Sequence, residues 1–130
     1  MAKKLQKYPQ QILFAISVVL DMLNESPELT AILTPQQSGV LGVLKAVEEK
    51  GLKIPDDISV IGLLEDSVGE LITPPLSTIS FPAQQLGTEA ARIIAGQLEG
   101  AVGDPQQVLL RPTLNVRGST GPVRPKEPVK

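Results

Sequence analysis

The stretch that most constrains this chain is Ile58-Ser59-Val60-Ile61-Gly62-Leu63-Leu64, seven residues of which only Ser59 is polar. It follows the turn sequence Lys53-Ile54-Pro55-Asp56-Asp57, which itself follows a helical pattern. A nearly continuous apolar strand in that setting is what a buried parallel sheet requires, because such strands are covered on both faces and reached by helical crossovers. The rest of the chain must therefore supply helices, and further strands at helix-length intervals.

It does so in order. Residues 1–9 form a polar lead ending at Pro9, and Ile12–Leu23, apolar except for Ser17 and Asp21, predicts a helix from Gln10 to Asn24. Its apolar residues surround the helix, so much of its surface needs a partner. Leu29–Leu33 has strand character. Thr34-Pro35-Gln36-Gln37 then reads as a helix start, with Thr34 as N-cap, Pro35 at the first helical position and Gln37 closing a capping box. Val40, Val43, Leu44 and Val47 continue that helix as one stripe, Gly39 and Gly42 leave a low face for close packing, and Gly51 ends it.

After the 58–64 strand, Asp66–Ile72 predicts a short helix stopped by Pro74-Pro75, Leu76–Ser80 a strand, and Gln84–Glu99 a helix ended by Gly100. Gln107–Leu110 and Leu114–Val116 are candidate short strands. Beyond Gly118 no hydrophobic periodicity remains, which predicts a disordered or loosely draped tail. This alternation gives an α/β fold with three layers and a mainly parallel sheet. A chain of 130 residues has room for one such core.

Composition removes several functions. With no Cys and no His, the chain lacks the thiolate and imidazole ligands of common metal sites, and the usual nucleophile and base. Asp56-Asp57 and Glu65-Asp66 are adjacent acids without a partner base or a metal-ligand set, so neither a cofactor nor a metal nor catalysis is expected. Residues 8–117 hold six basic and 13 acidic side chains, a formal −7, which repels a phosphate backbone; the remaining Lys and Arg lie in the tails. The 12–23 run falls short of the ~20 apolar residues of a membrane span and is not followed by a small-x-small cleavage pattern.

Glu48-Glu49-Lys50-Gly51-Leu52-Lys53-Ile54-Pro55-Asp56-Asp57-Ile58-Ser59-Val60-Ile61-Gly62 resembles the segment E-x-G-x-x-I/V-P-x-D-I/V-S-V-I/V-G of the LacI/GalR transcription regulators. Thr30-Ala31-Ile32-Leu33 and Leu41-Gly42-Val43-Leu44 upstream extend the likeness. So do Pro74-Pro75-Leu76-Ser77-Thr78-Ile79, Leu86-Gly87-Thr88-Glu89-Ala90-Ala91 and Val116-Arg117-Gly118-Ser119-Thr120 downstream. Each is common alone; their order over residues 28–120 is specific. The resemblance implies a partial periplasmic-binding-protein-like (type I) lobe. Residues 10–120 would form part of an effector-binding and dimerisation domain, with a disordered tail at 121–130.

In that family, two lobes close on a small ligand and a separate helix-turn-helix headpiece reads operator DNA. The resemblance thus implies a cytoplasmic homodimer that senses a small, sugar-like effector and reaches operator DNA only through a headpiece absent from this chain, with no membrane partner. The helix 36–50 and the element 66–72 are the implied dimer elements. Two other readings stand beside this one: a structural or partner-binding module that has lost its effector, and a fragment of a solute-binding protein.

The resemblance also points to positions. The family's Asn-Asp pair after the first of these strands matches Gln36 and Gln37, so an amide stands where a carboxylate is usual. Gln37 has two readings, helix capping and ligand contact. The first Asp after the Val-Ile-Gly strand matches Leu64, which cannot bind a hydroxyl pair, and Glu65 beside it sits at a helix start where a carboxylate is favourable without a ligand. The effector is then either less polar than a typical sugar or not bound. Arg117 matches a family Arg and reads as a structural ion pair, the alternative being contact with an anion. Thr34, Pro35, Pro55 and Gly62 are expected to be structural.

Overall fold

The computed structural model describes residues 8–100 and 106–123. Elements run in the order α1 (Gln10–Glu25), β1 (Ala31–Thr34), α2 (Gln37–Glu49), β2 (Ser59–Leu63), α3 (Asp66–Glu70), β3 (Ser77–Ser80), α4 (Ala83–Leu98) and β4 (Thr113–Asn115). The four strands form one sheet in the order β1-β2-β3-β4. β1, β2 and β3 are parallel, and β4 closes the far edge antiparallel to β3. The fold is therefore α/β with an open, mainly parallel sheet.

The apolar strand behaves differently on its two faces. Ile58, Val60 and Leu64 are buried and join Leu76 against Val40, Val43, Ala46 and Val47 of α2 and Ile16, Val19 and Leu23 of α1. Val68 and Ile72 pack against the same core, so α1, α2 and α3 share one face of the sheet. Each fully buried aliphatic side chain there contributes about 1.5–3 kcal/mol. The opposite face carries half-buried Ile61, Leu63 and Ile79 and exposed Leu33 and Leu114. Of the three expected layers, two are packed among the described residues, since α4 buries none of its side chains.

Close approach explains two glycines. A Cβ on Gly42 would lie 2.4 Å from the Ala15 Cβ, so the α1–α2 crossing depends on its absence. A Cβ on Gly62 would meet Leu64 at 2.6 Å, Val40 at 2.8 Å and Leu76 at 3.1 Å, where α2 lies on the sheet. Gly51 adopts φ +68°, and the Leu52 N–H donates to the Val47 carbonyl at 3.1 Å, a Schellman-type end to α2. The following turn closes on Asp57, whose carboxylate accepts from the Lys53 N–H at 2.8 Å. Pro55 is half-buried in that turn, 3.3 Å from where a Gly121 Cβ would stand.

α1 is half covered. Ile16, Val19 and Leu23 face α2, while Phe14, Val18 and Met22 form an outer stripe at 71%, 39% and 43% exposure. They border an apolar groove with Leu33, Pro35 and Gly39 along the free edge of β1.

Three expectations need correction. The capping box does not form: α2 starts at Gln37 after an extended Gln36, with no side-chain cap. β1 runs through Thr34 instead, whose hydroxyl donates to the Gln36 carbonyl at 3.4 Å. Residues 107–110 make no strand, because β4 lies three residues further on and takes the edge of β3. The chain after Gly118 is not loosely draped: Ser119 is fully buried and Gly121 bonds to Ser59. Residues 1–7 of the polar lead and 124–130 of the tail lie outside the described residues.

Candidate functional site

Three parallel strands end on one edge, and the ladders fix what stands there. Thr34 pairs with Gly62, and Gly62 with Thr78. The residues next along the chain at this edge are Pro35-Gln36-Gln37 after β1, Leu63-Leu64-Glu65 at the end of β2, and Ile79-Ser80-Phe81 at the end of β3. In open parallel sheets, ligands bind outside the carboxyl ends of the strands. Gln36, Gln37 and Glu65 are all exposed at that edge. Glu65 accepts a hydrogen bond from the Ser67 hydroxyl at 3.0 Å.

The other two positions lie beneath. Leu64 is 7% exposed and belongs to the core, its methyl group against Gly62. Thr34 is 6% exposed and packs under the first turn of α2, where a Cβ on Gly39 would stand 2.5 Å from its Oγ1.

Arg117 lies in a closed polar hub at the β3–β4 side. Its Nη2 is 2.6 Å from Asp66 Oδ1 and 3.4 Å from Glu70 Oε1. Its Nη1 donates to the Leu76 carbonyl and to Thr78 Oγ1, each at 3.0 Å. Asp66 Oδ1 also accepts from Thr78 Oγ1 at 2.6 Å and Asn115 Nδ2 at 2.8 Å. Hydrogen bonds from Arg117 and Thr78, with the guanidinium charge and Asn115, hold the Asp66 carboxyl below its ordinary pKa. The Asp66 hydrogen bond and charge push Arg117 upward in turn. With both Nη atoms engaged, the guanidinium is a structural clamp joining α3, β3 and β4.

A second polar seam escaped sequence reasoning. Ser119 Oγ donates to the Val60 carbonyl at 2.6 Å and accepts from the Ser77 N–H at 2.7 Å, so one hydroxyl bridges β2 and β3 where they begin. The Val60 N–H donates to the Ser119 carbonyl at 2.9 Å, and Ser77 Oγ lies 2.8 Å from Thr120 Oγ1. Its one sequence signal was the polar pair Ser77-Thr78 within a short strand, since buried hydroxyls need partners. Among the described residues no buried side-chain polar atom lacks a hydrogen bond, and no group of three or more His, Cys, Asp or Glu is placed to hold a metal ion.

Residues 4–120 match the family model described as the periplasmic binding protein-like domain. The chain belongs to the periplasmic-binding-protein-like effector domains of LacI/GalR regulators. The transcriptional regulator DegA of Bacillus subtilis is 33% identical over 94 residues, 72% of this chain and 28% of its own length. CelR of Thermobifida fusca is 25% identical over 104 residues, 80% of this chain and 31% of its own.

Among solved structures, a LacI family transcriptional regulator from Arthrobacter sp. FB24 in complex with lactose superposes with a TM-score of 0.73 at 34% identity, covering 82% of this chain and 40% of that one. This chain thus spans about a third of the length of the curated relatives it matches. These relatives are named as transcriptional regulators. No helix among the described residues is long and apolar enough to cross a membrane.

Proposed function

We propose that this LacI-type domain is the effector-sensing and dimerising part of a cytoplasmic transcription regulator, and that its effector is a small carbohydrate held at the carboxyl edge of β1–β3. The observation that carries the reading is the convergence of exposed Gln36, Gln37 and Glu65 on that edge, set by the register of three parallel strands. Amides and a carboxylate offer the donors and acceptors that sugar hydroxyls need. The lactose complex of the Arthrobacter regulator supports the ligand class.

Dimerisation is assigned to α2 and the α3 region. Leu41 and Leu71 are 52% and 85% exposed there, and Tyr8, Ile12, Leu44 and Pro74 line an apolar groove of about 460 Å³ beside them. Exposed apolar surface of this kind marks association sites. Operator binding is assigned to a separate helix-turn-helix headpiece.

Titration calorimetry with a panel of mono- and disaccharides tests the ligand assignment. Saturable binding weakened about tenfold or more by Glu65→Ala is expected, as for a lost charged hydrogen bond. The buried Leu64, where relatives are expected to carry an acid, favours a second reading in which effector binding has been lost. Absence of binding across the panel establishes that one and removes the first.

A further inference from the structure

We propose that Phe81 is the stacking platform of this edge, so that the carbohydrate it selects presents the apolar C–H face of a pyranose ring. The inference rests on the carboxyl-edge reading above and adds to it the residue that sets specificity. Taking the paired level Thr34, Gly62 and Thr78 as origin, three residues further along each strand end stand Gln37, Glu65 and Phe81. Adjacent strands lie about 4.8 Å apart, so β1 and β3 are separated by roughly 10 Å, the span of one or two sugar rings.

An exposed apolar residue alone needs no explanation. This one is 63% exposed, is one of two Phe in the chain, and lies at the same edge as the exposed Glu65 that follows the central strand. Its backbone is fixed: the Phe81 carbonyl accepts from the Ala83 N–H at 2.8 Å, and Ser80 before it pairs with Thr113. Pro82 then leads into α4.

The chemistry is complementary. A pyranose with equatorial hydroxyls is apolar on its faces and polar at its rim, so an aromatic ring beneath it and amide or carboxylate groups around it satisfy both at once. Leu64 in the floor removes a charged partner and makes stacking a larger share of recognition.

Proton NMR on the 130-residue chain tests this directly, because Tyr8, Phe14 and Phe81 are its only aromatic residues and it has no Trp or His. Phe81→Leu assigns the ring signals, and an unchanged amide spectrum elsewhere verifies its fold. Methyl and phenyl β-glucopyranoside are the probes. The proposal expects Phe81 ring signals to shift in step with the Gln37 and Glu65 amides, and Phe81→Leu to weaken binding about three- to tenfold. If the edge amides respond while the Phe81 ring does not and Phe81→Leu binds equally well, the stacking role is wrong and the edge survives. No response at the edge with either probe, or a response confined to Phe14 or Tyr8, overturns both.

Discussion

Replacing Ser119 with Ala should destabilise this domain more than its one-atom change suggests. Ser119 is 0% exposed, and its hydroxyl spans the Val60 carbonyl and the Ser77 N–H at 2.6 and 2.7 Å. Alanine keeps the backbone bond from the Val60 N–H to the residue 119 carbonyl but leaves the Ser77 N–H without its partner in a site closed to water. An orphaned buried group costs about 1–3 kcal/mol. The Val60 carbonyl loses one of its acceptor interactions as well, which brings the expected total to about 2–4 kcal/mol.

Thr120→Ala is the control. Its hydroxyl meets Ser77 Oγ at 2.8 Å in a half-buried position that water can reach, so about 0.5–1.5 kcal/mol is expected. Urea unfolding followed by far-UV circular dichroism reads both, with an unchanged slope certifying that stability alone has moved. A Ser119→Ala cost below about 0.5 kcal/mol, or no larger than that of Thr120→Ala, would refute the bridge as a joint between β2 and β3.

The Asp66–Arg117 clamp predicts a pH dependence. Because the folded-state pKa of Asp66 is lowered, its contribution is complete above the ordinary carboxylate value of about 4 and is lost as pH falls through the depressed folded value. Melting temperatures of wild type and Asp66→Asn should therefore differ at pH 7 and converge in acid; a gap that persists at the lowest pH contradicts the assignment. Gly62→Ala forces a methyl group against Leu64, Val40 and Leu76 and should cost about 1–3 kcal/mol in the same urea assay. Ile16→Ala, at 2% exposure in the α1–α2 seam, should cost about 2–4 kcal/mol, and a loss under 1 kcal/mol would show that α1 is not part of the core. Leu41→Glu on the exposed face of α2 should weaken self-association in sedimentation equilibrium without lowering the melting temperature; unchanged association removes that face from the dimer.

Much of the scaffold was legible because it follows periodicity. The apolar strand at 58–64, the stripe of α2 and the helix 84–99 sit within a residue or two of their expected positions. Local polar chemistry was less legible. Thr34 looked like an N-cap because cap preference is local, but extension of β1 placed its hydroxyl beneath the turn. Ser119 lies in a string without hydrophobic pattern, and its burial depends on strands about 40 and 60 residues earlier in the chain. Gln36, Gln37 and Glu65 were found through resemblance, while Phe81 became visible only once the ladders set it level with Glu65.

The resemblance also named Leu64, whose side chain lies in the core against Gly62. Asp66 read as one of an idle acid pair until β4 and Arg117 closed around it. Such contacts join residues far apart in sequence, where no spacing rule operates.

The central claim is that the carboxyl edge of β1–β3 receives a carbohydrate. An amide chemical-shift map of the isotope-labelled chain, titrated with the saccharide panel, tests it most directly. The account predicts saturable shifts concentrated at residues 35–38, 64–66 and 80–82, with the Ser119 seam and the α1–α2 core unmoved. Shifts confined to the α2 and α3 groove, or no saturable shift with any saccharide, would contradict it.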